Sequence, residues 1–202
     1  MKYKCLTDCI LGKTYKKRDK YMFIAIGLVV VLILVAILTY NSIVKANVGV
    51  DEAFSQIDVQ LKRRADLIPN LVTTVQGYAA HEKSTLDAVV AARAKATSAT
   101  GVADTAAADG MLTQALRGLL AVAEAYPDLK ASANFLSLQE ELSSTENKVA
   151  FARQFYNDQV RVLNSKILVF PTSVFASMLS IKEREFYEVE IPEDRNPPKV
   201  TF

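Results

Sequence analysis

Residues 21–40 read YMFIAIGLVVVLILVAILTY, an apolar run in which no side chain is charged. Since a helix of about 20 apolar residues spans the hydrocarbon core of a bilayer, this run predicts a transmembrane helix over residues 21–43. Tyr21 and Tyr40 stand at its two ends, and aromatic side chains favour the interfaces of a membrane. The run therefore divides the chain into a basic tail of residues 1–20, an anchor and a larger body.

A cleaved signal peptide is the alternative interpretation of this run. Basic residues precede it, and Val44, Lys45 and Ala46 resemble a small-residue cleavage pattern. The apolar region of a signal peptide is about 7–15 residues long, however, and this run is longer. Its length favours an anchor that stays in the protein.

The charges on the two sides of the run predict its orientation. Five basic residues lie at positions 13–20, whereas the other flank has Lys45 and then no basic residue until Lys62. In all, residues 1–20 contain seven basic and two acidic residues, and the rest of the chain has 17 basic and 20 acidic residues. Because basic flanks stay in the cytoplasm, residues 1–20 are predicted to be cytoplasmic and residues 45–202 extracytoplasmic. The acidic balance of the body also argues against a nucleic-acid partner.

Apolar residues recur at helical spacing along the body. Only 7 Gly, 6 Pro and no Trp occur in 202 residues, which provides too few turn signals for a sandwich or barrel. The spacing predicts one helix that runs on from the anchor to about residue 64, and three more over about residues 66–99, 112–123 and 138–167. Four amphipathic stripes of this kind favour an all-α, antiparallel bundle over residues 44–180.

Pro69 is expected to end the first of these helices, because proline lacks a backbone donor and disfavours helical geometry in the residue before it. Asp66 is then the cap of a second helix that follows a chain reversal. A kink is the alternative, and it would leave one rod of about 80 Å from Val44 to Ala99. We expect the reversal because the apolar stripe restarts after Asp66.

Breaker residues predict the remaining boundaries. In chain order they indicate a loop over residues 97–110, a stop at 126–128, a break at Pro171, a short helical turn over 172–179 and an extended tail over 181–202. Asp104 or Asp109 is expected to cap the helix after the loop. Residues 186–191 alternate between apolar and acidic side chains, which is typical of extended backbone, and residues 192–202 are expected to be poorly ordered.

Four stretches of the body read LKRRADLIPNLVTTVQGYAAHE (61–82), AEAYPDLKASANFLSLQEELSSTEN (123–147), ARQFYND (152–158) and FPTSVFA (170–176). In this order they resemble the LemA family of bacterial membrane proteins. The resemblance implies a single-pass protein of the bacterial inner membrane with a helical-bundle domain, and relatives are associated with the cell envelope and with magnetosome membranes. The activity of the family is not established, and some descriptions place its long domain on the cytoplasmic side.

Few residues could carry catalysis or hold a metal. His81 and Glu82 suggest the H-E-x-x-H motif of zinc peptidases, but Thr85 stands where that motif needs a second His. A ferritin-like dinuclear centre needs a Glu-x-x-His motif on each of two helices, and the chain has one His. Both cysteines, Cys5 and Cys9, lie within the first ten residues. The sequence therefore predicts no catalytic, cofactor-binding or metal-binding residue.

Arg63, Arg64 and Asp66 form either a recognition patch or a structural group. In the structural interpretation, which we expect, Asp66 caps a helix and one arginine pairs with a carboxylate of the bundle. Polar residues beside the apolar stripes are expected to fix the register of the helices, namely Arg93, Glu124, Asn134, Asn147, Arg153 and Asn164.

Two functions remain. The first is a non-catalytic, membrane-anchored scaffold that contacts the bilayer through residues 21–43 and binds envelope proteins or copies of itself. The Ala-rich segment 88–99 could admit a close helix neighbour from another copy, or pack within one bundle. The alternative is an envelope enzyme with an unrecognised carboxylate or hydroxyl site. The sequence carries no phosphate loop, nucleophile elbow or second His, which favours the scaffold.

Overall fold

The computed structural model describes the backbone of residues 2–188 and the side chains of residues 21–188. The helices in this range are α1 (Lys2–Tyr78), α2 (Lys83–Ser98), α3 (Val102–Glu124), α4 (Pro127–Lys130), α5 (Ala133–Leu168) and α6 (Thr172–Met178). An irregular segment, residues 181–188, follows them, and no strand occurs between residues 2 and 188. The predicted all-α fold is confirmed.

Helix α1 is the axis of the molecule. Its 77 residues correspond to about 115 Å at 1.5 Å per residue. Residues 21–40 are almost all exposed, and within the described side chains this is the one helix long and apolar enough to cross a membrane. From Ile43 onward its side chains become buried at helical spacing, for example at Val50 and Ile57. The predicted continuity between the apolar run and the first helix of the body is confirmed.

Helix α5 packs antiparallel along the second half of α1. Lys166, near the end of α5, contacts Ser42, whereas the Tyr156 ring packs 5.8 Å from the ring of Phe54. Helices α2 and α3 form a hairpin that covers the part of α1 farthest from residues 21–40. Helix α6 and residues 181–188 cover the part nearer to residues 21–40. Different elements therefore pack against the α1 and α5 pair at its two ends.

The body contains two apolar cores, one above the other along α1. The proximal core, next to residues 21–40, is built from Ile43, Val50, Ile57, Tyr156, Val160, Leu163, Ala176 and Tyr187, with smaller residues between them. The distal core is built from Ile68, Leu71, Val75, Leu86, Val89, Leu112, Leu116, Leu119, Leu129, Phe135 and Leu142, again with smaller residues. The side chains of residues 58–64 lie at the height where the two cores meet.

The predicted chain reversal at Pro69 is wrong, because α1 continues through this proline to Tyr78. Proline at this position cannot donate to the carbonyl oxygen of Ala65. Arg93 of α2 replaces the missing donor, since its Nε donates to that oxygen over 2.8 Å. The chain instead reverses at residues 79–82, so the alternative of one rod to Ala99 is also wrong.

The predicted loop over residues 97–110 is wrong for most of its length. Helix α3 begins at Val102, and Asp109 is a buried residue inside it and not a cap. The real connection is short and contains Gly101, whose φ of +81° suits glycine. Local composition misled the prediction, because alanine is a strong helix former and two of the alanines in this segment, Ala106 and Ala108, are buried.

The later boundaries agree with the sequence. The predicted stop near residue 126 is confirmed, and so are the long fourth helix, here α5, and the short turn, here α6. Residues 181–188 are irregular, as expected of a tail, but they bind to the body: Asn164 and Arg184 form a pair of hydrogen bonds, and so do Asn157 and Tyr187. The expectation for residues 192–202 lies outside the described residues.

Candidate functional site

A buried ion pair lies at the height where the two cores meet. The Arg64 Nη1 of α1 donates to the Asp109 Oδ1 of α3 over 2.9 Å, and the two side chains are 3% and 2% exposed. The same Nη1 also donates to the Thr113 hydroxyl over 3.0 Å. Because a buried charge is costly unless it is paired, this contact fixes α3 against α1 at one register.

Tyr187 closes the other side of the Asp109 carboxylate. Its hydroxyl lies 3.4 Å from Asp109 Oδ2 and 3.4 Å from the carbonyl oxygen of Thr105. Arg153 of α5 lies 3.8 Å from Oδ2, and its guanidinium stands 5.9 Å from the centre of the Tyr187 ring. Burial, and after it the nearby Asp109 charge, raise the pKa of the Tyr187 hydroxyl above its usual value. The hydroxyl is therefore a neutral hydrogen-bond donor at physiological pH.

These residues, which we call the junction cluster (Arg64, Asp109, Thr113, Arg153 and Tyr187), tie four parts of the chain together. They come from α1, α3, α5 and the segment 181–188. The expected pairing of one arginine with a carboxylate is confirmed by Arg64. The expected helix cap at Asp66 is wrong, because Asp66 is an exposed residue within α1.

Sequence reasoning missed Asp109 and Tyr187 as members of this cluster. A signal for Asp109 was present: it is an acidic residue on the same helical face as Thr105 and Leu112, both of which are buried. Tyr187 had no such signal, since it lies in an irregular segment and only the tertiary fold brings it to Asp109.

The polar residues predicted to fix the register divide into two groups. Arg93, Arg153 and Asn164 are partly buried and bind other elements of the fold. Glu124, Asn134 and Asn147 are exposed, and Glu124 pairs with Lys130 across 3.0 Å at the surface. The prediction is thus confirmed for the first group and wrong for the second.

His81 and Glu82 lie in the turn between α1 and α2 and not within a helix. Glu82 accepts a hydrogen bond from the Tyr126 hydroxyl over 3.3 Å, which joins this turn to the residue before α4. Within the described side chains, no group of three or more His, Cys, Asp or Glu residues lies close enough to hold a metal ion. His81 and Glu82 therefore belong to the turn that connects α1 to α2 at the distal end of the bundle.

A small cavity of about 220 Å³ lies beside the junction cluster, between α1, α3 and α5. Its lining includes Arg64, Arg117, Gln139 and Glu146. Pockets that bind small molecules usually measure about 300–1,000 Å³. The cavity is therefore small for a substrate site.

An open apolar groove of about 640 Å³ lies between α1 and α5. All of its lining comes from these two helices: Ser55, Gln56, Val59 and Gln60 from α1, and Lys148, Phe151, Ala152 and Phe155 from α5. Phe151 is 72% exposed, and Val59 and Phe155 are exposed as well. Exposed apolar patches bordered by polar residues are typical of interaction surfaces. We call this surface the α1/α5 groove.

Comparison with known proteins finds a matching family and several relatives of this sequence. The sequence profile of the LemA family matches residues 53–202. Two magnetosome proteins of Paramagnetospirillum magneticum, MamQ 1 and MamQ 2, are each 24% identical over 193 aligned residues, covering 83% of this chain and 71% of the relative. Protein LemA of Metamycoplasma hominis is 27% identical over 165 residues, covering 77% of this chain and 75% of the relative.

Proposed function

The chain belongs to the LemA family, and from this premise and the geometry of α1 we propose that it is a membrane-anchored, non-catalytic scaffold of the bacterial cell envelope. The observation that carries the proposal is the unbroken α1: its apolar residues 21–40 face outward, whereas the part after Ile43 is packed into the body. A helix with two such halves rigidly couples a membrane span to the bundle. Residues 41–78 alone correspond to about 57 Å.

The junction cluster supports a structural role for the polar residues of the body. Asp109 and Arg64 are almost completely buried, and Tyr187 seals the carboxylate from the other side. A catalytic carboxylate has to reach a substrate within hydrogen-bond distance. The Asp109 carboxylate is buried between Arg64 and Tyr187, so we assign the cluster to holding the bundle in register. Two relatives carry the name of a magnetosome protein, and we take from that name a role as a component of a larger structure.

For the orientation, we propose that residues 1–20 are cytoplasmic and that the body lies on the extracytoplasmic side. The basic residues of positions 1–20 support this, because the positive-inside rule keeps such segments in the cytoplasm. The span itself would be formed by residues 21–43, with Tyr21 and Tyr40 at the two interfaces.

We further propose that the α1/α5 groove binds a second copy of the chain. Anchoring in one membrane gives all copies the same direction and the same height. Val59 of α1 and Phe151 of α5 line the same groove. A two-fold axis along the membrane normal therefore brings Val59 of one copy to Phe151 of its partner, and Phe151 of the first to Val59 of the second, as a self-complementary interface requires.

Disulfide crosslinking between two differently tagged full-length chains tests this function. Both chains have Cys5 and Cys9 replaced by Ser; one carries Val59→Cys and the other Phe151→Cys, so any mixed disulfide joins two copies. We expect the mixed product in native membranes, whereas Val59→Cys paired with Met111→Cys on α3 should give none. Equal yields from the two pairs, or no mixed product from either, would contradict association through the groove.

The orientation is tested in the same cysteine-free background. Asn134→Cys, at an exposed position outside the groove, should react with a membrane-impermeant thiol reagent in intact cells, and Thr14→Cys should react only after the cells are opened. The opposite pattern would place the body in the cytoplasm and contradict the proposed orientation. Equal labelling of both sites in intact cells would contradict a span between them.

A further inference from the structure

The corner between α5 and α6 carries large apolar side chains that point away from the body. Leu168 is 71% exposed, Phe170 is 79% exposed and Met178 is 75% exposed, and Val169 and Val174 are exposed beside them. We call residues 168–179 the apolar corner. Leaving this much apolar surface in water is unfavourable, at roughly 25 cal/mol per Å².

The apolar corner lies beside the end of the proposed span. The Lys166 Nζ donates to the Ser42 Oγ over 3.0 Å, and Ser42 is two residues beyond Tyr40. Because α5 runs antiparallel to α1, Leu168 lies about 3 Å closer to the span than Lys166 does. The corner is therefore level with Tyr40, where a 20-residue span of about 30 Å reaches the edge of the hydrocarbon core.

Helix α6 is attached firmly to the anchor on its inner side. Ala176 is buried in the proximal core together with Ile43 of α1, and Phe175 packs against the same core. The amide of Ile181 donates to the carbonyl oxygen of Ala176 over 3.0 Å, which ties the end of α6 to the following segment. The outward side of the corner is thus held at a fixed height relative to α1.

We propose that the apolar corner is a second membrane contact, inserted into the interfacial layer of the bilayer that α1 crosses. This inference rests on the proposed span. Of the possible occupants, the bilayer is favoured because the exposed apolar residues 21–40 end at the height of the corner. Lys45 of α1 and Lys166 of α5 are near the same height and supply cations for lipid phosphates.

A second contact changes what the anchor does. A single helix allows the body to tilt and to turn about the helix axis. Two contacts at the same bilayer surface fix both the tilt and the side of the body that faces the membrane. The apolar corner therefore sets the direction in which the α1/α5 groove is presented to neighbouring copies.

Tryptophan fluorescence with brominated lipids tests this contact, because the chain has no natural Trp. Four full-length variants carry a single Trp: Phe170→Trp and Met178→Trp at the corner, Leu32→Trp in the middle of the span, and Leu136→Trp as an exposed control on α5 outside the α1/α5 groove. Leu136 lies 32 residues before Leu168, or about 48 Å above the corner. Each variant is reconstituted into vesicles of phosphatidylcholine and phosphatidylglycerol that carry bromine either near the headgroup or near the chain ends.

We expect both corner variants to emit at shorter wavelength than Leu136→Trp and to lose most of their emission to bromine placed near the headgroup. Leu32→Trp should be quenched best by bromine near the chain ends, and Leu136→Trp should stay unquenched. Quenching of Leu32→Trp without quenching at either corner position would overturn the second contact and leave the span intact. Absence of quenching at Leu32→Trp would overturn the span itself. A blue-shifted but unquenched corner would mean that protein, such as a second copy, covers it, which also overturns the inference.

Discussion

Arg93 supplies the hydrogen bond that Pro69 takes away from helix α1. Its Nε donates over 2.8 Å to the carbonyl oxygen of Ala65, which is four residues before the proline and is the acceptor that a residue 69 amide would otherwise use. The donor comes from α2, 28 residues later in the chain. The contact therefore lets α1 continue into the distal core, where Ile68 and Leu71 are completely buried.

This relationship predicts that Arg93 and Pro69 are energetically coupled. Arg93→Ala should lower the free energy of unfolding by about 1–3 kcal/mol, because it leaves a partly buried carbonyl oxygen without a donor. In a Pro69→Ala background the same change should cost less, since the amide of residue 69 can then donate to Ala65. Urea unfolding of the four full-length chains in detergent, followed by circular dichroism, measures the coupling.

Arg161→Ala is the control for this comparison of four chains. Arg161 pairs with Asp158 over 2.6 Å at the surface, and such exposed pairs contribute at most about 1 kcal/mol. Equal losses from Arg93→Ala with and without Pro69 would show that the two residues are independent.

The buried pair of Arg64 and Asp109 gives a second prediction. Asp109→Ala should destabilise the chain by about 3–5 kcal/mol, because it leaves the Arg64 guanidinium buried without a counter-charge. The double variant Arg64→Met, Asp109→Leu should recover much of that loss, since it removes both charges and keeps apolar volume. Thermal unfolding of the full-length chains in detergent provides the comparison.

Arg63 is the natural control for this pair, because it is the exposed neighbour of Arg64 on the same helix. Arg63→Met should change the unfolding free energy by no more than about 0.5 kcal/mol. A double variant less stable than Asp109→Ala alone would contradict the desolvation argument.

The sequence predicted the features of this fold that depend on local pattern. The exposed apolar run, the stripe through Val50 and Ile57, and the long α5 all follow from spacing and composition within a short window. The prediction at Pro69 was wrong because the hydrogen-bond donor that replaces the missing proline amide is not local. This donor, Arg93, lies on another helix, α2. The expectation that the apolar stripe restarts after Asp66 is also wrong, because the buried face of α1 continues through Ile68, Leu71 and Val75.

The junction cluster was beyond sequence reasoning for a similar reason. One of Arg63 and Arg64 was expected to pair with a carboxylate of the bundle, but the sequence did not show which carboxylate. The partner of Arg64 lies 45 residues away, in a segment whose small polar composition resembled a loop. Tyr187 joins them only because residues 181–188 return along α5. Local pattern predicts which residues are buried better than it predicts which buried residues meet.

Tyr187 should make the stability of the body fall as the pH becomes alkaline. Burial and the neighbouring Asp109 charge raise the pKa of Tyr187 above its unfolded value of about 10. The neutral hydroxyl thus stabilises the folded state fully below that pH, and the contribution is lost as the pH rises through the unfolded and then the folded pKa. Tyr187→Phe should therefore unfold with a weaker pH dependence between about pH 9 and about pH 11.

Tyr156 provides a companion measurement in the same pH range. Burial raises the pKa of its hydroxyl too, and that hydroxyl donates to the carbonyl oxygen of Glu185 over 2.9 Å. Tyr156→Phe should remove a separate share of the alkaline destabilisation, and the double variant should remove both. If the stability of Tyr187→Phe falls as steeply with pH as that of the parent chain, the assignment to Tyr187 is wrong.

Gly101, which precedes α3, and Gly118, within it, should respond in opposite ways to the same substitution. Gly118 lies inside the helix with open space where a Cβ would be placed, so Gly118→Ala should stabilise the chain by about 0.5–1 kcal/mol through helix propensity. Gly101 precedes the helix with a φ of +81°, so Gly101→Ala should destabilise it by about 1–2 kcal/mol even though space is free there too. Since neither added methyl group meets a neighbour, urea unfolding of the two variants isolates backbone conformation. A loss of stability in Gly118→Ala would indicate that this surface of α3 is already covered by a partner, and equal effects of the two substitutions would contradict the left-handed conformation of Gly101.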